Sequence, residues 1–528
     1  MKHRAIETTK NRILLALFGG VLVAACGSST NRNGFTDADG GGTGGGDDDT
    51  SQQDDGGGFG FNDGSTHVAT GPCTGNGWNC KIVACDGGTA TTVTAKVYDP
   101  AGQVPLPNVV VYVPNATLDP ITTGPTCDNC ATPVSGSPVA SALTDATGTF
   151  VMQNVPVGSN VPLVIQIGKW RRVVSLPQVN ACQNNTFDDP MTFRLPASQS
   201  EGNLPKIALA VGGADTVECL LRRMGISIDE FTDPTGSGRV NLFVNDIYGT
   251  AGVNTPTSAY SAGGSFPPFS QLFSAVNADD DGGFVDAGAD ALSAYDVVMM
   301  SCQGSQEAGR AVTSADKQAL KSFVDSGGRA FLAHYNYSWL RGGQLSGSKV
   351  IVPSPEGATI DGQTKYTQTP FPAIAVWENS SGDYAPGGDG NYTVDTSFPN
   401  GATMASWLFN VGASSTMGQI GLVNVKDPAT SVIASVAQRW IYDDTMGEPY
   451  ISANTPVEEA ANPSQQCGRL VHTGIHVSAA VNDTHDPFPS GCVSAPLTAQ
   501  EKALEFMFFD MSSCVSNEMV KQVPPQVN

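Results

Sequence analysis

Three residues that can do chemistry stand where apolar runs of this sequence end. Cys302, His334 and His476 each follow a stretch typical of a buried strand. A thiolate with an imidazole base can act as a nucleophile, and both groups bind transition metals. Three interpretations stay open here. They are a Cys302–His476 catalytic pair, a metal held by His334 and His476, and ordinary cleft histidines with a buried or disulfide-bonded cysteine.

Two further histidines, His472 and His485, lie close to His476 in the sequence. On a helix, His472 and His476 would share a face one turn apart. The sequence predicts a strand there instead, which separates the two by about 13 Å and prevents them from sharing one ion.

Asn277, Asp279, Asp281 and Asp286 form a candidate calcium loop, with a glycine directly after Asp281. Oxygen ligands on alternate residues followed by a turn suit a hard cation. The twelfth position, which carries a glutamate in such loops, is Gly288. The pattern is therefore compatible with bound calcium or with a solvated acidic turn.

The amino terminus has the features of an export signal. A basic segment precedes an apolar run from Ile13 to Ala25. That run is shorter than the roughly 20 residues needed to cross a bilayer. It ends at Val-Ala-Ala-Cys, which resembles the lipobox of bacterial lipoproteins. The resemblance implies cleavage before Cys26, lipidation of its thiol and attachment to a membrane. Gly27 stands where some inner-membrane lipoproteins have aspartate, so we expect an outer-membrane location facing the periplasm or the cell surface.

Twelve cysteines favour an oxidising compartment and structural disulfides. Cys127 and Cys130 have the spacing of a zinc knuckle, but a site of this type needs a second Cys-x-x-Cys or histidine pair, which the sequence lacks. Besides Cys26 the count is odd, which leaves at least one thiol free or paired with another chain. The pairing itself cannot be read from the spacing.

The net charge of −23 argues against nucleic acid as a partner, because phosphate backbones require a basic face. After the leader, the sequence has no apolar stretch long enough for a membrane span. Sixty glycines and 34 prolines favour many turns and a large share of β-structure. We therefore expect an acidic, disulfide-containing, multidomain body outside the membrane.

Composition and periodicity divide the chain into segments. Short β-type runs punctuated by turns predict an antiparallel sandwich, whereas strands that alternate with helices predict a parallel α/β sheet. The predicted segments are a signal peptide over 1–25, a Gly- and Asp-rich tether over 26–66, a cysteine-containing lead-in over 67–89, a β-sandwich over 90–198, an α/β domain over 204–515 with a large insertion at about 340–466, and a tail over 516–528.

The predicted sandwich contains the phrases VTAKVYDPAG, PLPNVVVYVP, ALTDATGTFVMQNVPVG and VPLVIQIGKW. These resemble the carboxypeptidase regulatory-like domain, a transthyretin-like sandwich similar to collagen-adhesin B-type repeats and to starch-binding sandwiches. The resemblance implies a spacer or binding module without catalytic residues. Trp170 beside Arg171 and Arg172 could stack on a sugar ring, although a tryptophan at a strand end more often covers a core edge.

The α/β segment contains YDVVMMSCQG, ADKQALKSFVDSGGRAFLAHYN and GRLVHTGIHVS. These resemble the class I glutamine-amidotransferase-like superfamily, particularly its trehalose-utilisation branch, and imply a flavodoxin-like fold. The resemblance places the nucleophile position at His334, the catalytic histidine near His476 and the oxyanion loop at Cys302. Position 334 has no thiol and no glycine-flanked tight turn, so glutamine hydrolysis is not expected.

These observations predict an envelope-anchored lipoprotein that binds a carbohydrate, polymer or protein ligand without catalysis. The alternative is an exported hydrolase or metal-dependent enzyme that uses the cleft around His334 and His476.

Overall fold

The computed structural model describes residues 75–212, 215–244, 266–273, 291–302, 312–340, 370–377, 384–477, 488 and 492–527, and the backbone of 343–346 and 350–353. His67–Asn528 form one compact unit. Cys26, His485 and the candidate calcium loop of Asn277, Asp279, Asp281 and Asp286 lie outside the described residues. In the part of the chain that is described, no helix has the length and hydrophobicity required to cross a membrane.

Two β-sheets occupy the region predicted as a sandwich. Their strands are β1 Thr92–Lys96, β2 Val110–Pro114, β3 Pro138–Leu143, β4 Thr149–Gln153, β5 Gly158–Ile167, β6 Trp170–Val179, β7 Asn184–Thr186 and β8 Gly202–Asn203. One sheet has the order β4-β1-β7 and the other β3-β2-β5-β6-β8. All neighbours pair antiparallel except β1 and β7. Alternate residues of β1 and β4 are buried, and both sheets contribute to one core.

A ten-stranded mixed sheet forms the second part of the body, and six of its strands are parallel neighbours in the order β10-β11-β9-β12-β13-β22. These strands are β9 Ile207–Val211, β10 Phe231–Thr232, β11 Val240–Val244, β12 Val297–Met300, β13 Arg329–Ala333 and β22 Gly468–Thr473. Every residue of β9, β11, β12, β13 and β22 is buried. Burial on both faces is expected for a parallel sheet covered on two sides.

The described α-helices are α1 Val217–Arg223, α2 Ser314–Asp325, α3 Tyr337–Leu340, α4 Pro399–Asn410 and α5 Ala499–Ser512. Side chains of α1 and α5 share a core with one face of the parallel sheet and with the sandwich. Side chains of α2 and α3 share a second core with the opposite face. The sandwich therefore packs on the α/β part through one continuous core.

Two of these helices, α2 and α5, begin with a capping box. Thr313 and Thr498 accept hydrogen bonds from the backbone N–H groups of Asp316 and Glu501, whose carboxylates accept from the cap backbone in return. This reciprocal arrangement satisfies donors that a helix end otherwise leaves unpaired.

The segment predicted as an insertion largely extends the main sheet. Its strands are β14 Gly343–Ser346, β15 Val350–Pro353, β16 Ala375–Val376, β17 Gly388–Val394, β18 Gln419–Val425, β19 Ser431–Val432, β20 Gln438–Asp443 and β21 Gly447–Thr455. Strand β21 pairs antiparallel with β22, and the sheet continues as β21-β20-β17-β18. The other four form two small antiparallel pairs, β14 with β15 and β16 with β19. The segment predicted as an insertion therefore extends the sheet, because its longest strands continue the hydrogen-bond ladder of the parallel strands.

Four disulfides between described residues confirm the prediction of structural disulfides. They are Cys85–Cys182, Cys127–Cys467, Cys130–Cys514 and Cys219–Cys492. Cys80 is also disulfide-bonded. Because Cys127 and Cys130 are both in disulfides, they form no zinc knuckle. Their two bonds join the loop between β2 and β3 to the α/β part, and we call them the junction disulfides.

The tryptophan considered as a sugar platform lies inside this junction. Trp170 is fully buried, and its ring meets Phe508 and Phe509 of α5 edge-on at centroid distances of 6.1 and 5.9 Å. Next to it, the Lys169 ammonium lies 2.7 Å from the Asp296 carboxylate. The core-covering interpretation of Trp170 is confirmed, and stacking on an external sugar is excluded.

Candidate functional site

The three residues singled out from the sequence meet at one edge of the parallel sheet. Cys302 follows β12, His334 follows β13 directly and His476 follows β22, and these three strands are neighbours. The carboxyl ends of parallel strands open on the same edge, where ligands of such sheets bind. One side-chain donor atom of each residue lies within 4.8 Å of the other two, and all three residues are buried.

A sharp turn presents His334. The residue begins a short 3₁₀ turn over His334–Asn336 and has φ of 48°, in the left-handed region that few residues other than glycine adopt. The Asn336 amide donates hydrogen bonds to the carbonyl oxygens of Met300, Ser301 and Ala333 at 3.1, 3.2 and 2.7 Å. The turn is sharp although no glycine flanks His334, and the Asn336 amide holds it in place.

One nitrogen of the His334 ring is hydrogen-bonded, whereas the other has no partner among the described residues. It makes a hydrogen bond with the Gly474 backbone, and Nε2 has no hydrogen-bond partner among the described residues although it is fully shielded from solvent. The His334 carbonyl accepts a bond of 2.9 Å from His472 Nε2. His472 thus supports the turn and is not part of the three-residue cluster. His476 lies beyond the end of β22, so the strand predicted to contain both histidines is shorter than expected.

His476 is oriented by a carboxylate that the sequence analysis missed. Its Nδ1 lies 3.0 Å from Asp215 Oδ1, which also accepts a 3.0 Å bond from the Val477 N–H. The Gln500 amide donates to the His476 carbonyl at 2.9 Å. The rings of His476 and His334 are nearly perpendicular, with centroids 3.7 Å apart. Asp215 therefore fixes which His476 nitrogen faces the cluster.

Burial controls the charge of this site. The pKa of His334 is well below its ordinary value of 6.5, because of desolvation and then the neighbouring His476 and His472. Burial raises the pKa of Asp215, and His476 opposes that rise. Burial also lowers the pKa of His472 to about 4. At neutral pH, His334 and His472 are therefore uncharged imidazoles.

Two more buried acids lie around the cluster. Burial raises the pKa of Asp427 to about 6, against the opposing effects of Lys426 and His476. Burial also raises the pKa of Glu218 to about 8, and Asp215 adds to that rise. One carboxyl oxygen of each, Asp427 Oδ2 and Glu218 Oε2, has no hydrogen-bond partner in the described part of the molecule. At neutral pH, Glu218 is therefore mainly protonated and Asp427 mainly ionised.

A separate cavity of about 280 Å³ lies at the junction of the two parts. Its walls are the loop 119–135, the turn between β5 and β6, and the C-terminal segment 513–525. Polar groups of Asp119, Lys169 and Gln522 alternate with apolar groups such as Pro133 and Val523. The lining that the structure describes contains no aromatic side chain. The cavity has mixed polarity and offers no stacking platform.

Comparison with known proteins gives no family. No family model matches the chain, and no curated protein matches it. Two solved chains are similar, both from a type II Cohesin-X-Dockerin complex of Acetivibrio cellulolyticus, one an N-terminal and the other a C-terminal interface mutant. They are 16% and 14% identical, and the match covers 28% of this chain and 78% of each of theirs, with TM-scores of 0.13 and 0.14. TM-scores this low do not establish a shared fold.

Proposed function

We propose that the chain is a lipoprotein of the bacterial outer membrane whose two-part body binds a ligand without hydrolysing glutamine. The non-catalytic part of this proposal rests on the position of His334. This residue occupies the turn after β13, where an amidotransferase-like domain needs a thiolate or an alkoxide. An imidazole there, buried among other histidines, cannot form the acyl intermediate of the usual thiol mechanism.

The resemblance to amidotransferase-like, flavodoxin-like domains is supported by strand order. When the two-residue edge strand β10 is left out, the parallel strands in chain order are β9, β11, β12, β13 and β22, and their order across the sheet is 2-1-3-4-5. That is the order of flavodoxin-like sheets. The carboxypeptidase regulatory-like assignment of the sandwich remains part of the proposal and rests on the sequence phrases.

Membrane anchoring is supported by the lipobox-like segment before Cys26, and location outside the cytoplasm is supported by the disulfides. Bonds such as Cys127–Cys467, between distant parts of the chain, persist in an oxidising compartment. The test is metabolic labelling with a palmitate analogue in the native host. Cys26→Ala should abolish the label and release the protein from membranes, whereas the neighbouring Ser28→Ala should change neither. A labelled, membrane-bound Cys26→Ala variant would contradict anchoring.

The cavity at the junction favours a polar polymer or peptide as the ligand. Its mixed lining offers hydrogen bonds and apolar contact, but the lining residues that the structure describes include no aromatic face on which a sugar ring could stack. Carbohydrate therefore ranks behind a peptide segment of an envelope protein.

Binding can be tested with the full chain on peptide and glycan arrays. Thr132→Trp places a large side chain at the cavity wall and should weaken binding at least tenfold. Thr186→Trp, on the exposed side of β7, is the matched control and should bind as wild type. Equal binding by both variants, or no saturable binding to either array, would oppose the proposal.

A second candidate function, an exported hydrolase, is favoured by the thiol, two imidazoles and carboxylate gathered at Cys302, His334, His476 and Asp215. Turnover of ester or amide substrates that disappears in Cys302→Ser would support it. Such turnover would also replace the non-catalytic proposal.

A further inference from the structure

The geometry points to a transition-metal centre formed by Cys302, His334 and His476, with Asp215 as the outer partner that orients His476. Zinc is the ion that suits the donors best. This inference goes beyond the ligand-binding role and does not depend on the cavity, on anchoring or on hydrolysis.

The first support is the spacing of the donors. Bond lengths of about 2.0–2.1 Å to imidazole nitrogen and 2.3 Å to thiolate sulfur place tetrahedral zinc ligands about 3.3–3.6 Å apart. The donor atoms of Cys302, His334 and His476 already lie within 4.8 Å of one another. The donors therefore need to approach one another by no more than about 1.5 Å to reach this spacing. The three backbones are held in position by neighbouring parallel strands, so the donors are preorganised.

The second support is the unpartnered nitrogen of His334. Nε2 is shielded from solvent and has no hydrogen-bond partner among the described residues, and only 1% of the residue's surface is exposed. A buried polar atom without a partner costs on the order of 1–3 kcal/mol. The ring's hydrogen bond to the Gly474 backbone belongs to its other nitrogen, so Nε2 itself stays without a partner among the described residues. A metal bound at Nε2 would give the atom its missing partner.

The outer contacts of both histidines are those that metal sites use. Ligating histidines usually donate their second ring N–H to a carboxylate or a backbone carbonyl, which fixes the tautomer and the ring orientation. Asp215 fills this role for His476 at 3.0 Å, and the Gly474 backbone does so for His334. Each ring therefore has one nitrogen held by the protein and the other left for the ion.

Charge and ligand type select the ion. A divalent ion with the Cys302 thiolate and the Asp215 carboxylate makes a cluster of zero net charge, which a buried site tolerates better than an isolated charge. A thiolate with two imidazoles suits zinc and disfavours calcium and magnesium, which prefer oxygen. Three protein donors leave the fourth position of a tetrahedral ion for water or a bound ligand.

The test uses the full chain, purified in detergent from an oxidising compartment, stripped with a chelator and desalted. Zinc alone is then added and counted by mass spectrometry, and cobalt(II) is added to a parallel sample as a spectroscopic probe. We expect about one zinc per chain and a sulfur-to-cobalt charge-transfer band. Cys302→Ser should abolish the band, His334→Gln should weaken zinc binding at least tenfold, and Asp215→Asn should weaken it about 10–100-fold.

The matched control is His67→Gln, which removes a histidine of the predicted lead-in and should bind zinc as wild type. Near-ultraviolet circular dichroism checks that each variant is folded. If a variant does not fold, the cobalt spectrum of the wild type decides, since the absence of a thiolate band overturns the proposal by itself. Retention of less than about a tenth of an equivalent of zinc, or equal binding by all variants, also overturns it. Palmitate labelling and array binding are separate readouts, so failure here leaves the proposed function standing.

Discussion

The junction disulfides lead to a prediction about additivity. Cys127 and Cys130 stand three residues apart, and their partners Cys467 and Cys514 stand 47 residues apart. When one bond is intact, the other closes a loop of only about 50 residues. In the chain-entropy description, such a loop stabilises the folded state by about 4 kcal/mol. Removing either bond alone, as a double cysteine-to-serine variant, should therefore cost about 4 kcal/mol.

Removing both bonds should cost considerably more. The Cys219–Cys492 disulfide then provides the shortest remaining connection, with 92 residues between Cys127 and Cys219 and 25 between Cys467 and Cys492. A loop of about 117 residues corresponds to about 5 kcal/mol for the second bond lost. The total loss is about 9 kcal/mol, and the second bond removed costs slightly more than the first.

Guanidinium unfolding under non-reducing conditions, followed by tryptophan fluorescence, measures these losses. Trp170 reports on the junction because its ring lies against α5. The control pair Cys85→Ser with Cys182→Ser removes a bond within the sandwich region and should leave the junction closed. If removing both junction bonds costs no more than removing one, loop entropy does not govern this junction and the reasoning is refuted.

Three further predictions concern single side chains. Burial raises the pKa of Asp99 to about 6, and burial together with Asp99 raises that of Glu505 well above its ordinary value. The folded state therefore keeps protons that the unfolded chain releases, and stability should fall as pH rises from about 4 through 6. Glu505→Gln should flatten this slope in thermal melts, and an unchanged slope would contradict the assignment. Thr313→Ala removes the bond to the Asp316 N–H and should cost about 1 kcal/mol in denaturant unfolding; no loss would mean that the cap is not formed. Trp170→Ala should cost about 3–5 kcal/mol, and a loss below 1 kcal/mol would argue against close packing on α5.

The parallel strands and the helix starts can be predicted from the sequence because each is indicated by a few neighbouring residues. Runs such as Ile207–Val211 and Arg329–Ala333 are apolar throughout, as strands buried on both faces must be. The capping residues Thr313 and Thr498 mark helix starts within four residues of sequence. Local signals of this kind indicate a strand or a helix start without knowledge of any distant contact.

The extension of the sheet beyond β22 cannot be predicted from the sequence, because it depends on pairing between strands that are distant in the chain. Strand β20 shows mixed burial, and β18 alternates buried and exposed positions only in part. Neither pattern indicates which sheet the strand joins. The deciding contact, β21 beside β22, is made by hydrogen bonds of the backbone, which carry no residue signature.

The candidate site, too, could be predicted only in part. The rule that ligands bind at the carboxyl ends of parallel strands selected Cys302, His334 and His476, which the structure brings together. It did not select Asp215, which precedes His476 by 261 residues and whose role exists only through that partner. An acidic residue just after the Gly212 strand end was the only available signal.

The shared core and the junction disulfides make the stability of each part depend on the presence of the other, so the two parts should be inherited together. A sandwich transferred by recombination into another protein would leave Trp170 without its cover and two cysteines without partners, and the recipient α/β part would have the reciprocal defects. Related chains should therefore retain both parts together or lack both. A chain with the α/β part alone would need compensating changes on α5 and at positions 467 and 514.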